Sequence, residues 1–143
     1  MALRFDLGPF EKLFVGKSIF TNSHERSLFA VEGTTPIMRS RDVLLIESAQ
    51  NALEKLYCCI QQIYLEETHD KYEGSYLALR VKAIEEAPHL YPVIKDAHNF
   101  IRNNDHYKAL RNLKKFIRED AFLVAPSPLS SYVLSVDGWK KRA

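Results

Sequence analysis

A chain of 143 residues, 46% of them apolar, is long enough to bury one compact core or two small lobes that share one. Its 20 Lys and Arg stand against 18 Asp and Glu, a formal charge of +2. That balance excludes the globally basic composition of a histone-like or ribosomal binder, so any nucleic-acid site has to be a local patch. The start MALRFDL has neither a long apolar core nor a small-residue cleavage site, and no run of about eighteen apolar residues occurs, so a soluble, cytoplasmic protein without membrane contact is expected.

Leu3, Phe5 and Leu7 alternate with Arg4, Asp6 and Gly8, the period of a half-buried strand, and Gly8-Pro9 ends it. Leu13 to Val15 and Ile19 to Thr21 flank Gly16-Lys17, which predicts a tight turn or bulge. Asn22 to Arg26 is the next turn. A strand over Ser27 to Glu32 is stopped by Gly33 to Pro36 before a short one at Ile37-Met38. Residues 1–46 therefore read as a small antiparallel sheet or barrel whose edges need cover.

From Glu47 the period becomes helical. Ala49, Ala52, Leu53, Leu56, Tyr57, Ile60, Ile63 and Tyr64 predict a long helix with Ser48 as its N-cap. Cys58 and Cys59 are adjacent inside it, a spacing that suits neither a disulfide framework nor a metal site, so they read as small buried apolar residues of a reducing compartment. A second helix is predicted from about Asp70 to Ala87, closed by Pro88, and a third begins at Pro92 and carries Val93, Ile94, Ala97, Phe100 and Ile101. Asn103 and Asn104 break the pattern, and Asp105 is the expected N-cap of a fourth.

That fourth helix, His106 to Arg118, is locally strongly positive in a chain that is nearly neutral. Leu110, Leu113, Phe116 and Ile117, with Tyr107 and Ala109, recur at the spacing of one buried side. Lys108, Arg111, Lys115 and Arg118 line another side, with Lys114 beside them and no acid before Glu119. Such a stripe can hold phosphates by Coulomb attraction and counterion release, although most charge runs are simply solvated faces. After Val124 two prolines stop any helix, yet Tyr132, Leu134, Val136 and Trp139 are too apolar for a plain linker. Tyr132 to Val136 alternates enough to pair as a strand with a sheet edge, in this chain or in a second copy to form a homodimer. The fold class expected is α+β, with a small N-terminal antiparallel β unit over 1–46, about four α-helices over 47–124 packed on it, and a tail over 125–143, partly docked or flexible.

Catalytic patterns are not found. His24, His69, His89, His98 and His106 lie in separate segments without a second ligand at metal spacing, the five glycines form no phosphate loop, and Ser127, Ser130 and Ser131 sit in no nucleophile elbow. No enzyme, metal or cofactor is expected.

Three stretches, MALRFDLGPFEKLFVGKSIFTNSHERSLFAVEGTTPIMRSRDVL, LEKLYCCIQQIYL and HYKALRNLKKFIRED, together resemble the FlbT family of flagellum biosynthesis regulators, in collinear order over most of residues 1–122. The most specific parts are Met1-Ala2-Leu3, the Arg39 to Asp42 turn, Tyr57 to Leu65 and Tyr107-Lys108-Ala109-Leu110. Members often carry Gly before the tyrosine that matches Tyr107, where this chain has Asp105 and His106. The resemblance implies a post-transcriptional regulator that acts on the 5′ untranslated region of flagellin mRNA and is opposed by the partner FlaF. Under it, Arg39, Arg41, Lys108, Arg111, Lys114, Lys115 and Arg118 are the candidate phosphate contacts, and exposed members of Tyr57, Tyr64, Tyr76 and Tyr107 the candidates for stacking on single-stranded bases. The alternative is a protein-interaction module that binds FlaF or flagellin and reaches the mRNA only through that complex. A helix-turn-helix DNA reader over 92–118 is weaker, because few Asn, Gln or Arg sit at the start of the basic helix to read bases.

Overall fold

A computed structural model describes residues 2–123. The expected tail strand at 132–136 and Trp139 lie outside the described residues. Five strands precede four α-helices, an α+β order, and the described chain divides after Arg41 into a β unit and a helical unit, Asp42–Leu123.

In the β unit, β1 (Ala2–Leu7) pairs antiparallel with β4 (Ser27–Glu32), placing Leu3 opposite Val31 and Phe5 opposite Phe29. A separate three-stranded sheet has the order β3 (Ser18–Thr21), β2 (Lys12–Val15), β5 (Ile37–Arg39). The unit is thus two small sheets, where one sheet or barrel was expected. Between β2 and β3 the chain turns on Gly16 and Lys17, and Gly16 has a φ of 58°, the glycine-first pattern of a two-residue hairpin loop. Strand alternation then decides the core. Leu7, Leu13 and Ile37 are buried together, with Phe5, Val15, Phe29 and Val31 packed around them. Buried Asn22 fastens the connections: its Nδ2 donates to the carbonyls of Leu7, Gly8 and Glu25 at 3.1, 2.9 and 2.9 Å, and its Oδ1 accepts from the Ser23 N–H. One buried amide thus ties three backbone carbonyls from two separate segments.

The helical unit is built on α1 (Ala52–Glu66), of whose 15 residues 11 are buried. Helix α2 (Glu73–Glu86) and α4 (His106–Lys114) pack on α1, and α3 (Tyr91–Arg102) packs on α4. The cap of α1 is Asn51, not Ser48, which lies in a preceding 3-10 turn, Ile46–Ser48. Asn51 Oδ1 accepts from the Glu54 N–H at 2.9 Å while Glu54 Oε1 accepts from the Gln50 N–H at 2.9 Å, a reciprocal box that satisfies donors a helix start leaves open. At its other end α2 contributes a further partner, Glu86, whose Oε1 accepts from the Ala52 N–H at 2.9 Å. Cys58 and Cys59 are buried free thiols, and burial pushes them up to about 12 and about 11.

Residues 42–46 are bound to the helical unit. Leu44 gives its N–H to Gln61 Oε1 at 2.9 Å and receives Gln61 Nε2 on its carbonyl at 3.1 Å, and it bridges to Phe122. The Leu123 N–H donates to the Val43 carbonyl at 2.9 Å. Leu56 and Ile60 are almost fully buried. Truncating either to alanine is expected to cost about 2–5 kcal/mol, read by equilibrium urea unfolding, because both the transfer energy and a cavity are lost. A loss below about 1 kcal/mol would be the signature of an exposed site.

Candidate nucleic-acid interface

Helix α4 begins where expected. Asp105 accepts from the Lys108 N–H at 3.3 Å, and the preceding Asn104 takes the left-handed φ of 59° that asparagine tolerates. It ends earlier than expected, at Lys114 rather than Arg118. The N–H groups of Phe116 and Ile117 bond three residues back, to Leu113 and Lys114, and Arg118 is extended with φ −58° and ψ 140°. The expected stripe of cations is therefore helical only over its first part.

This early end sorts the candidate cations into two groups. Lys108, Arg111 and Lys115 remain exposed on one stretch of surface. Arg111 lies over the Tyr107 ring at 6.0 Å and Lys108 over the Phe100 ring at 5.8 Å, with Asp105 4.0 Å from Lys108. Lys114 instead reaches Asp42 at 2.7 Å. Arg118 contacts both oxygens of Glu54 at 3.2 and 3.3 Å, donates to the Ser48 carbonyl at 2.6 Å and lies 3.2 Å from Asp120. Glu54 is only 2% exposed, so Arg118 neutralises a buried carboxylate and its own affinity for protons rises, chiefly through that hydrogen bond. In the β unit, Arg39 bonds Glu11 at 3.1 Å and the Asp6 carbonyl at 3.0 Å, while Arg41 is exposed. Arg39, Lys114 and Arg118 would each have to exchange an internal acid for a phosphate.

The aromatic candidates divide in the same way. Tyr57 is buried, donates to the Asp42 carbonyl at 2.5 Å and packs edge-on to Phe122; burial first, and Asp42 second, push its hydroxyl far above the usual tyrosine range. Tyr76 is buried as well, and burial raises it to about 12. Tyr107 is 41% exposed and rests against Tyr64, with ring centroids 6.1 Å apart. Phe116, placed on the buried side by helical spacing, is 49% exposed because the helix has stopped before it. Phe116 was missed as a surface aromatic, and so were Arg80 and Arg102, which stand in other helices and in no basic run. Arg80 follows Tyr76 and Arg102 follows His98 by one helical turn, and only the packing of Tyr76 on His98 brings the two pairs together.

A small α+β protein with an exposed face of cations and aromatics is the class these features define. Residues 3–123 match the family model described as flagellar protein FlbT. A relative from Rhodopseudomonas palustris (strain TIE-1), named probable flagellum biosynthesis repressor protein FlbT, is 35% identical over 125 residues, covering 87% of this chain and 99% of the relative. One from Bradyrhizobium diazoefficiens, named probable flagellum biosynthesis repressor protein FlbT 1, is 33% identical over 118 residues, 82% of this chain and 81% of its own length. A Caulobacter relative with the FlbT repressor name is 22% identical over 120 residues, 82% of this chain and 92% of its own. No solved structure matches the chain. The chain belongs to the FlbT family.

The two groups of cations make different predictions for stability. Arg118→Gln is expected to lower the thermal midpoint, because it leaves the buried Glu54 carboxylate without its guanidinium. Lys115→Gln is expected to leave the midpoint unchanged, within the roughly 0.5 kcal/mol usual for surface substitutions. Equal midpoints for the two variants in a calorimetric comparison would contradict this division.

Proposed function

We propose that this protein represses flagellum biosynthesis post-transcriptionally, by binding the 5′ untranslated region of flagellin mRNA in the cytoplasm and limiting its translation or stability. The observation that carries the reading is the exposed face of α4, where Lys108, Arg111 and Lys115 stand beside the half-exposed rings of Tyr107 and Phe116. Cations at that spacing attract phosphates, and rings of either kind can stack on unpaired bases, the combination used to hold single strands. The repressor names of the relatives agree with it. Arg111 over Tyr107 also keeps the ring and the cation on one side, so that a base and its phosphate could be held together.

A second reading has its own support. Leu77 and Val81 on α2 are 47% and 59% exposed, an apolar pair that RNA does not need and a protein partner does. Under that reading the chain binds FlaF or flagellin, or a second copy of itself, and affects the mRNA through the complex.

An electrophoretic shift with purified protein and flagellin leader RNA separates the two readings. Direct binding should weaken steeply with salt, and replacing Lys108, Arg111 and Lys115 together by Gln should reduce the salt slope by about 2, at roughly 0.7 per phosphate for a single strand. The same three positions changed to Glu should abolish retention while the thermal melt stays that of the parent. Retention that survives this change moves the contact elsewhere, and no retention by the parent protein leaves the protein-partner reading.

A further inference from the structure

Tyr76 of α2 is buried, and three basic side chains surround its ring. Arg80 lies over the face with its guanidinium carbon 5.7 Å from the ring centre. The His98 ring of α3 stacks at 5.9 Å with a 21° tilt, and the Tyr76 hydroxyl is 2.7 Å from His98 Nδ1. His69, just before the turn that leads into α2, meets the ring edge-on at 5.7 Å. Arg102, one turn beyond His98 on α3, is close enough to act on it electrostatically, as Arg80 and His69 also do.

Among the described residues, neither Arg80 nor Arg102 has a carboxylate within 4.0 Å. Arg80 Nε is buried without a hydrogen-bond partner, and so is His106 Nε2 at the start of α4. Every other half-buried arginine discussed above, Arg39 and Arg118, has an acid against it. Bringing like charges together in a partly desolvated place raises the free energy unless an anion relieves it. Burial first, then Arg80, Arg102 and His69, hold His98 below its ordinary value, and burial and then His69 do the same to His106 against the opposing effect of Asp105. A metal does not explain the histidines, since no three His, Cys, Asp or Glu side chains among the described residues converge as a metal set would.

We infer that Arg80, His98 and Arg102 form a phosphate-binding site on the seam of α2 and α3. Two guanidinium forks supply paired N–H donors of the geometry that phosphate oxygens accept. In the tautomer where Tyr76 donates to Nδ1, His98 Nε2 carries the ring proton and is a third donor. Arg102 ends α3, and Lys108, three residues beyond the α4 cap Asp105, lies over Phe100 of α3. The site is defined by its phosphate chemistry, and its assignment to the RNA backbone rests on the proposed function above; free phosphate is the other source.

Two arms of one experiment test this. In the first, imidazole resonances of the intact protein are titrated with inorganic phosphate against chloride of matched ionic strength. The expected result is a saturable upward shift of the His98 titration, because a bound anion favours imidazolium, and its loss in Arg102→Gln, an exposed substitution that should not perturb folding. No saturable shift beyond the chloride control overturns the site. In the second arm, Arg102→Gln and Arg80→Gln/Arg102→Gln are compared with the parent for retention of flagellin leader RNA at several salt concentrations. A fall of about 1.4 in the salt slope for the double variant, two contacts at roughly 0.7 each, identifies the RNA backbone as the source. A phosphate-responsive His98 with unchanged RNA slope keeps the site and assigns it to free phosphate. Loss of RNA binding by the parent itself would instead remove the proposed function and leave the first arm to stand alone.

Discussion

Glu54 is the constraint on which the helical unit depends. A carboxylate that is 2% exposed is stable only if its lone pairs are occupied, and here they are filled by the Gln50 N–H, the Asn51 amide at 3.2 Å and the Arg118 guanidinium. These bonds do three things together. They fix the first turn of α1, they hold the loop before it, and they draw the chain that follows α4 back to the helix start. Arg118 cannot stay on the helical path of α4 and also reach both Glu54 and the Ser48 carbonyl, which gives a physical reason for the helix to stop at Lys114. Phe116 becomes exposed as a result of a bond formed two residues further on.

The same bond shapes the surface chemistry. A uniform ladder of cations from Lys108 to Arg118 would have been one broad electropositive face; the fold divides it, assigning Lys114 to Asp42 and Arg118 to Glu54 and leaving a shorter face beside Tyr107 and Phe116. A shorter face with adjacent rings suits a few nucleotides of a flexible strand better than the regular phosphate rows of a duplex. Arg80 and Arg102 lie on the same unit and, among the described residues, are not held by a carboxylate as Lys114 and Arg118 are.

Local pattern carried much of the architecture. Strand alternation at Leu3, Phe5 and Leu7 and the glycine turn at Gly16 were legible because period and turn chemistry are properties of neighbours in sequence. The start of α1 was misplaced at Ser48, although Asn51 followed three residues later by Glu54 is a capping-box signature that the residues themselves display. Division of the β unit into two sheets, one pairing β1 with β4 and the other β2 with β3 and β5, depends on long-range pairing that alternation does not encode. Arg80, His98 and Arg102 were invisible for a related reason. Each is unremarkable in its own helix, and only the stacking of His98 on Tyr76 makes them neighbours. The acid partners of Lys114 and Arg118 are 72 and 64 residues away, beyond any window in which charge spacing can be read.

The hydrogen bond from Leu123 to Val43 and the Leu44–Phe122 bridge bring the two ends of the helical unit side by side. Closing so long a loop is entropically dear, but the charge grows only logarithmically, about 0.6 kcal/mol for each doubling of length, so the closure is sustainable once α1 and α4 have packed between its ends. It also makes the unit a ring in the topological sense. A chain whose ends already touch can be opened elsewhere, for instance at the Asn103-Asn104 turn, and rejoined across Val43 and Leu123 with its interior contacts kept, so its fold belongs to the packing of the helices more than to the order in which they are strung.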